Sequence, residues 1–301
     1  MAKNYFDRYI WLIDLVNRHG HISFEEIDRA WSYNSRLNKD GGRLPERTFF
    51  NHIKAIEDVF GIEIKCDRSL GYYIANTEDL EGDGIRQRML ETIAMSNMLK
   101  ETKEMRSRIL VENVPSSQRW LTVILEAMRD NKSVELSYQG FGKPEASTFT
   151  TYPYCVKLFR QRWYMVATSE GHEEPRIYAL DRFVDAKVSN EKYTVPKRFD
   201  AEKFFIDHFG IIVKEDIPVM DIEIKVFESQ VAYLRTLPIH HSQRETGQGE
   251  GYTIFRYHLA PTYDFIQELL SHGDDVEVLQ PESLREEVAA IAERMNAIYK
   301  R

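Results

Sequence analysis

The apolar residues of this chain change their spacing along its length, and these changes restrict its fold more than any other feature. Up to about residue 130 they recur at intervals of three and four, which is typical of amphipathic helices. From Ser133 to about residue 195 they alternate with polar residues, which indicates short β-strands. Beyond that point, strand-like and helix-like segments follow one another. Because 301 residues are enough for two or three domains, the pattern predicts an α+β multidomain protein.

The first 80 residues are predicted to form three helices and a hairpin. Ser23, with Glu26 three residues later, gives the capping box that marks the start of the second helix. The third helix carries one apolar stripe of Phe49, Ile53, Ile56 and Phe60. Two short alternating runs follow Gly61 on either side of a turn at residues 67–69. This order predicts a winged helix-turn-helix domain over residues 1–80.

Three further segments are predicted after the first domain. Residues 81–118 are expected to form a helical linker, with a helix from Gly84 to about Leu110. Residues 119–198 begin with a helix and continue as short strands separated by turns, a pattern that predicts a small β-barrel. Residues 199–301 have the order strand, helix, strand, strand, helix, strand and a closing helix, which is the ferredoxin-like plan with one added helix.

The net charge of −8 is distributed unevenly. Residues 199–301 carry 10 basic and 19 acidic side chains, a balance of −9. No domain has the basic excess expected of a protein held on DNA by its overall charge, so any DNA binding must depend on local patches. One such patch covers residues 36–54, where five Lys or Arg stand against two Asp or Glu.

The familiar signatures of catalysis and metal binding are missing from the sequence. It has no nucleophile elbow, phosphate-binding loop, dinucleotide fingerprint, zinc-protease motif or paired cysteines. Its two cysteines, Cys66 and Cys155, are far apart, which suits a reducing cytoplasm. No apolar run approaches the roughly 18 residues of a spanning helix. We therefore expect a cytoplasmic protein that is not an enzyme, holds no cofactor or metal and does not enter a membrane.

The polar side of the third predicted helix has the chemistry of a DNA-reading helix. Arg47 suits guanine and Asn51 suits adenine, whereas Thr48 and Lys54 suit phosphates. An ordinary amphipathic helix with a solvated face would show the same pattern, and the wing-like hairpin that follows favours DNA binding. The residues expected to contact a double-stranded operator are Arg43, Arg47, Thr48, Asn51, His52, Lys54, Lys65 and Arg68.

Three segments in order carry a family resemblance. They are "RTFFNHIKAIEDVFGIEIKCDRSLGYYI", "RWYMVATSEGHEEPRIYALDRF" and "LLSHGDDVEVLQPESLREEV". The second contains the Trp-Tyr pair of Trp163 and Tyr164, with Met165 in place of leucine, and an R-x-Y-x-L-D-R run from Arg176 to Arg182. In all three segments the chain resembles the WYL-domain family of helix-turn-helix transcriptional regulators.

The resemblance implies a homodimeric regulator with a winged helix-turn-helix, a WYL domain built as an Sm-like barrel, and a ferredoxin-like extension. It also implies an effector in the WYL domain, in some members single-stranded DNA or a nucleotide-like ligand. Strand alternation predicts that Trp163 lies in the barrel core and leaves Tyr164 as the better ligand candidate. Ala179 stands where many members have arginine, which favours a smaller or less charged effector. The candidate effector-binding residues are Tyr154, Lys157, Trp163, Tyr164, Arg176, Tyr178 and Arg182.

Two hypotheses of function follow. In the first, the protein is a sequence-specific repressor whose DNA binding is controlled by a nucleotide-like or nucleic-acid effector. In the second, it is an adaptor whose acidic C-terminal domain binds a protein partner and whose first domain binds DNA without sequence preference.

Overall fold

The computed structural model describes residues 5–35, 37–39, 41–75 and 118–300. The helix predicted from Gly84 to Leu110, the linker around it, and the charged residues Arg36 and Asp40 lie outside these ranges. The chain divides into two compact units, residues 1–112 and 113–301. Among the described residues, no helix is long and apolar enough to span a membrane.

In its described residues, the first unit consists of three helices and a two-stranded antiparallel hairpin. The helix α2 begins with the predicted capping box, because the Ser23 side chain accepts a hydrogen bond from the Glu26 N–H and the Ser23 N–H donates to the Glu26 carboxylate. The helix α3 ends at Gly61, which has a φ of 65°. The element bounds are α1 Tyr5–His19, α2 Phe24–Tyr33, α3 Glu46–Phe60, β1 Ile64–Asp67 and β2 Gly71–Ile74.

The hairpin is tied to the helices by a backbone bridge. Ile22, in the connection between α1 and α2, exchanges two hydrogen bonds with Tyr72 of β2, at 3.0 and 2.7 Å. Phe49 and Ile56 of α3 are fully buried against α1, α2 and the hairpin. The burial of this stripe, at about 25 cal/mol per Å² of apolar surface, stabilises α3 against the core and turns its polar side outward.

The second unit begins with a helix on a five-stranded antiparallel sheet. The strands lie in the order β6-β5-β4-β3-β7, and Ile124 of the helix packs fully buried against the sheet. The strand β6 ends at Ala179, within the R-x-Y-x-L-D-R run, and Leu180–Arg182 form a 3-10 turn. The bounds are α4 Gln118–Asp130, β3 Lys132–Tyr138, β4 Ser147–Phe159, β5 Arg162–Ser169, β6 His172–Ala179 and β7 Phe183–Lys192.

A four-stranded antiparallel sheet with helices forms the C-terminal part of this unit. Its strand order is β11-β8-β10-β9, and its core contains Tyr257 and Phe265. Outside the predicted pattern, a short helix, α5, precedes the first strand. The bounds are α5 Ala201–Phe205, β8 Met220–Phe227, α6 Glu228–Thr236, β9 Arg244–Gly249, β10 Tyr252–Leu259, α7 Tyr263–Ser271, β11 Val276–Gln280 and α8 Glu282–Tyr299.

The segment between β7 and β8 covers one face of the five-stranded sheet. Its aromatic rings pack on β4, with Phe199 4.9 Å from Tyr154 and Phe209 5.5 Å from Phe159 between ring centroids. Asp264 of α7 holds the segment by accepting the backbone N–H groups of residues 211 and 212 at 2.8 and 3.0 Å. One side of the sheet is therefore closed by the chain itself, and a ligand would have to approach from elsewhere.

Candidate functional sites

The loop before α3 is fixed by side chains of the preceding residues. Asp28 accepts a hydrogen bond from the Leu44 N–H at 2.7 Å, and Leu44 is buried. Asn38 donates from its side chain to the carbonyl oxygens of Trp31, at 3.2 Å, and Gly42, at 2.7 Å. These bonds satisfy backbone groups that an irregular loop would otherwise leave unpaired, and they set the position at which α3 begins.

The outer face of α3 presents the polar side chains predicted from the sequence. Arg47, Asn51 and Lys54 are exposed and lie at helical spacing on one stripe, while Thr48 is half-buried beside it. In the ranges that the structure describes, no acidic side chain forms an ion pair with Arg47 or Lys54. Two cations and an amide are therefore free to meet an anionic, hydrogen-bonding surface.

Among the described residues, the hairpin adds one free cation and one with an acidic neighbour, and the loop before α3 adds a second cation that has an acidic neighbour. Asp67 shapes the turn by accepting the N–H groups of Ser69 and Leu70 at 2.7 and 2.9 Å, and this turn exposes Arg68. Lys65 is exposed but lies 2.6 Å from Glu63, whose hydrogen bond raises the pKa of the lysine. Arg43, in the loop before α3, is 3.4 Å from Asp28. Arg43 and Lys65 thus bring less net positive charge than the sequence suggests.

The prediction that His52 contacts DNA is wrong. His52 is 4% exposed and points into the unit, where its ring lies 5.3 Å from Tyr9 and 6.2 Å from Tyr5 between centroids. It follows Asn51 by one residue, or about 100° around the helix, and this step carries it from the outer face to the buried one. Burial, with Arg8 nearby, lowers the pKa of His52 to about 4.

The first unit is expected to lose stability in mild acid through His52. Because the pKa is about 4 in the folded chain and about 6.5 in the unfolded chain, only the unfolded chain binds the proton between these values. The stabilisation is complete above pH 6.5 and is lost as the pH falls towards 4, by up to about 1.4 kcal/mol per pH unit. Urea unfolding at pH 7 and pH 5, followed by the fluorescence of Trp11 and Trp31, measures it.

The His52 measurement requires one background, one variant and one control. Trp120 and Trp163 are replaced by phenylalanine so that the fluorescence reports the first unit alone. The variant His52→Phe should show a much smaller change between the two pH values. His21→Phe, which alters an exposed histidine of the same unit, should keep the wild-type change. Equal pH dependence in all three proteins would contradict the assignment to His52.

A cleft opens on the five-stranded sheet near the β3–β4 hairpin. This sheet cleft has a volume of about 470 Å³, within the range of roughly 300–1,000 Å³ for small-molecule sites. Tyr138 and Phe149 lie 5.4 and 5.8 Å from Tyr178 between ring centroids and supply its aromatic surface. The lining residues are Tyr138, Gly140, Lys143, Ser147, Thr148, Phe149, Ser169, Glu170, His172, Arg176 and Tyr178.

The rim of the sheet cleft carries an arginine between two aromatic rings. The Arg182 guanidinium lies 3.9 Å from the ring centroid of Phe141 and 4.8 Å from that of Tyr138. Arg182 also donates a hydrogen bond from Nε to the Gln139 carbonyl at 3.1 Å, so its orientation is fixed. Phe141 itself is 83% exposed at the hairpin tip. Such a stack offers a flat surface to a ring and a positive charge to a phosphate.

The seven residues predicted to bind the effector are not brought together. Arg176 and Tyr178 line the sheet cleft, and Arg182 stacks on its rim. Trp163 packs on the core beside fully buried Met165, as the alternation predicted. The remaining predicted residues are Tyr154, Lys157 and Tyr164.

Those three lie away from the sheet cleft. Lys157 lies 3.8 Å from the ring centroid of Phe205 and donates to the Gly210 carbonyl at 2.6 Å. Burial lowers the pKa of Lys157 to about 8. Tyr154 packs on Phe199, and Tyr164, which is half-buried, pairs with Lys157 across the strands. Strand alternation correctly predicted that Tyr164 points to the face of the sheet opposite Trp163. The segment after β7 covers that face.

The structure also changes the expectation drawn from Ala179. Ala179 is buried and pairs with Tyr164, whereas the neighbouring Tyr178 lines the sheet cleft. Since successive side chains of a strand point to opposite faces, an arginine at 179 would leave the sheet cleft's charge unchanged. The sheet cleft keeps two cationic side chains, on Lys143 and Arg176, against the carboxylate of Glu170. Position 179 therefore does not decide how charged the ligand is.

Sequence reasoning missed the residues of the β3–β4 hairpin. Tyr138, Phe141, Lys143 and Phe149 belong to the sheet cleft or its rim, and none was predicted. A turn with two glycines that holds an aromatic and a lysine, "QGFGKPEAS", was the available signal. Across the described residues, no group of three or more His, Cys, Asp or Glu side chains is placed to hold a metal ion.

Together, the fold and its two surfaces define a class of protein. It is a multidomain α+β protein that contains a helical unit, in whose described part α3 exposes two unpaired cations and an amide, and a unit with a ligand-sized cleft. Residues 119–188 match the WYL domain, and residues 218–295 match the WCX domain. The chain belongs to the WYL-domain family.

Individual relatives are distant. The chain is 24% identical over 189 residues to the protein PafB of Mycobacterium tuberculosis and to that of Mycobacterium bovis. This alignment covers 61% of the chain and 55% of PafB, so the chain spans about half the length of the curated relatives it matches.

Two solved structures are also similar. One is the proteasome accessory factor B/C (PafBC) of Arthrobacter aurescens, with a TM-score of 0.36, 16% identity, and coverage of 95% of this chain and 46% of that one. The other is a CRISPR Cas-related protein, with a TM-score of 0.39, 15% identity, and coverage of 92% and 76%. The family assignment rests on the two matched domains and on their order.

Proposed function

We propose that the protein is a sequence-specific DNA-binding transcriptional repressor whose affinity for its operator is set by an effector in the sheet cleft. The observation that carries the proposal is the outer face of α3, where Arg47, Asn51 and Lys54 are exposed while the opposite side of the helix is locked into the core. A recognition helix requires this division between a docked face and a free face.

The arrangement of the first unit supports a winged helix-turn-helix. Its order is a helix, the short extended segment at Ile22, two helices and a hairpin, and the bridge from Ile22 to Tyr72 adds that segment to the hairpin. In such a domain α3 enters the major groove and the hairpin reaches the adjoining backbone. Arg68 at the hairpin turn is then the cation that meets phosphate, and Arg47 and Asn51 read bases.

The two sheets of the second unit support the finer fold assignments. A helix followed by five antiparallel strands, with the last strand beside the first, is consistent with an Sm-like barrel in the WYL domain. The C-terminal strands and helices run β8-α6-β9-β10-α7-β11, with strand order β11-β8-β10-β9, which supports a ferredoxin-like extension. We assign the domains as residues 1–80, 81–118, 119–198 and 199–301.

The chemistry of the sheet cleft suits an anionic ligand with a flat ring. Tyr138, Phe149 and Tyr178 offer ring surfaces, and Lys143 and Arg176 offer charge to a phosphate. The volume admits a nucleotide or a short stretch of single-stranded DNA. The effector acts by binding one of two states of the protein better than the other, and a tenfold difference corresponds to about 1.4 kcal/mol of bias.

Replacing Arg176 by alanine should weaken effector binding about tenfold or more without changing operator binding in the absence of effector. The loss removes a charged hydrogen-bond donor from the sheet cleft, worth roughly 1.5–3 kcal/mol. Binding of a labelled single-stranded oligonucleotide and of a mononucleotide is measured by anisotropy and calorimetry. Arg160→Ala, which removes an arginine paired with Glu268 outside the sheet cleft, is the matched control. Equal losses in both variants would argue against this site.

The first test of the proposal is selection of bound fragments from random-sequence DNA. A repeated or palindromic site supports an operator reader and a homodimer, and the spacing of its half-sites reports the geometry. Added oligonucleotide or nucleotide should shift the occupancy of that site. Failure to enrich any sequence would remove the proposal.

The adaptor hypothesis has one specific observation in its favour. The acidic C-terminal domain exposes Met295, Ile298 and Tyr299 at helical spacing on α8. Such a stripe could bind an apolar surface of a protein partner. Salt-dependent DNA binding with no preferred sequence, together with capture of a defined partner that Ile298→Glu abolishes, would favour this second function.

A further inference from the structure

The outer face of α3 contains one residue that does not fit a solvated polar surface. Phe50 is 54% exposed and lies beside the stripe of Arg47, Asn51 and Lys54, as a helical neighbour of Arg47 three residues before it and of Lys54 four residues after it. Its ring centroid is 5.6 Å from that of the fully buried Phe49, so the exposed ring rests on the core. An exposed aromatic ring that packs on the core therefore lies beside side chains that form hydrogen bonds and carry charge.

The surroundings of Phe50 indicate what it contacts. Arg47 and Lys54 flank it with positive charge and have no acidic partner in the described ranges, which suits a polyanion better than an apolar protein surface. On the edges of bases in the major groove, the 5-methyl group of thymine is the apolar feature, and phenylalanine is among the side chains that contact it. The neighbouring Asn51 has the chemistry that selects adenine.

We propose that Phe50 is a specificity-determining residue that reads the methyl group of a thymine next to the base contacted by Asn51. This inference rests on the proposed function, because it requires α3 to enter the major groove. It assigns α3 an apolar contact in addition to its hydrogen bonds. The operator should therefore contain at least one position where thymine is preferred over cytosine for its methyl group.

The test compares thymine with deoxyuridine, which lacks the methyl group and keeps every hydrogen-bonding group. Each thymine of the selected operator is replaced in turn, and affinity is measured by anisotropy for wild type, Phe50→Ala and Val59→Ala. Val59 is a second exposed apolar residue of α3, located in its last turn, and serves as the matched control. Because Phe50 is exposed, its replacement should leave the fold intact, and thermal unfolding checks this.

At one thymine, deoxyuridine should weaken wild-type binding about fourfold, the value for burying one methyl-sized group. Phe50→Ala should bind the thymine-containing operator about as much less tightly. Its affinity should not change when deoxyuridine replaces thymine at that position. Val59→Ala should respond as wild type does. If no thymine is sensitive in wild type, or if Phe50→Ala keeps the sensitivity, this inference is wrong although operator recognition stands. If no operator is selected at all, the proposed function itself fails.

Discussion

Asn51→Ala is expected to remove the preference of the protein between operator sequences while leaving its general affinity for DNA nearly unchanged. A bidentate asparagine–adenine contact contributes about 1–3 kcal/mol of discrimination, or roughly 5- to 150-fold. Alanine at 51 makes no such contact. Because Asn51 is exposed on the outer face of α3, the substitution should not disturb the core. Anisotropy with the selected operator and with a scrambled duplex measures both affinities.

Lys54→Ala provides the contrasting result for the same helix. A phosphate contact carries no sequence information, so its loss should weaken binding to both duplexes and lower the slope of log affinity against log salt by about one. Asp58→Ala, in the same stripe, removes a negative charge that repels phosphate, so it should strengthen binding to both duplexes without changing the preference between them. If Asn51→Ala kept full affinity and full selectivity for the operator, this assignment of the recognition face would have to be abandoned.

Gly71→Ala is expected to unfold the hairpin or separate it from the helices. Gly71 has a φ of 95°, and a Cβ atom there would lie 2.6 Å from the Ile22 carbonyl carbon and 2.9 Å from the Ser23 nitrogen. The obstacle is backbone, so no rotation of a side chain relieves it. Strain and overlap together should cost roughly 3 kcal/mol or more. Urea unfolding of the first unit measures the loss, and specific DNA binding should fall with it.

Gly20→Ala separates the two causes of that loss. Gly20 also has a positive φ, 68°, but an added Cβ would meet nothing within 4 Å. Its replacement should therefore cost only the conformational strain, about 1–2 kcal/mol. If Gly71→Ala lowered the free energy of unfolding no more than Gly20→Ala does, the contact between Gly71 and Ile22 would not be tight in solution.

The sequence predicted local features well where one residue type has one physical role. Ser23 and Glu26 formed the expected capping box because both bonds are made within a single turn. Met165 and Trp163 lie on the core side of β5 because strand alternation follows from covalent geometry. The failure at His52 has an equally local origin, since a step of one residue crosses the boundary between the outer and buried faces of α3.

The candidate sites were predicted less completely because they depend on how distant segments meet. Alternation indicated that Tyr164 faces away from the core, and it could not indicate that the segment around Phe205 returns to cover Lys157 on that face. The sheet cleft joins Phe149 of β4 to Arg176 of β6, although the two residues are 27 positions apart in the chain. No motif marks such a pair in advance.

By itself, the sequence indicated most of the order of the described helices and strands, the apolar stripe that docks α3, and the motifs that place the chain in the WYL-domain family. These features follow from periodicity and from contacts a few residues apart. The tertiary structure alone decided which cations are paired, which face of the sheet is covered, and which rings surround the sheet cleft. Those outcomes depend on long-range packing, in which a side chain's environment is set by residues distant in the chain.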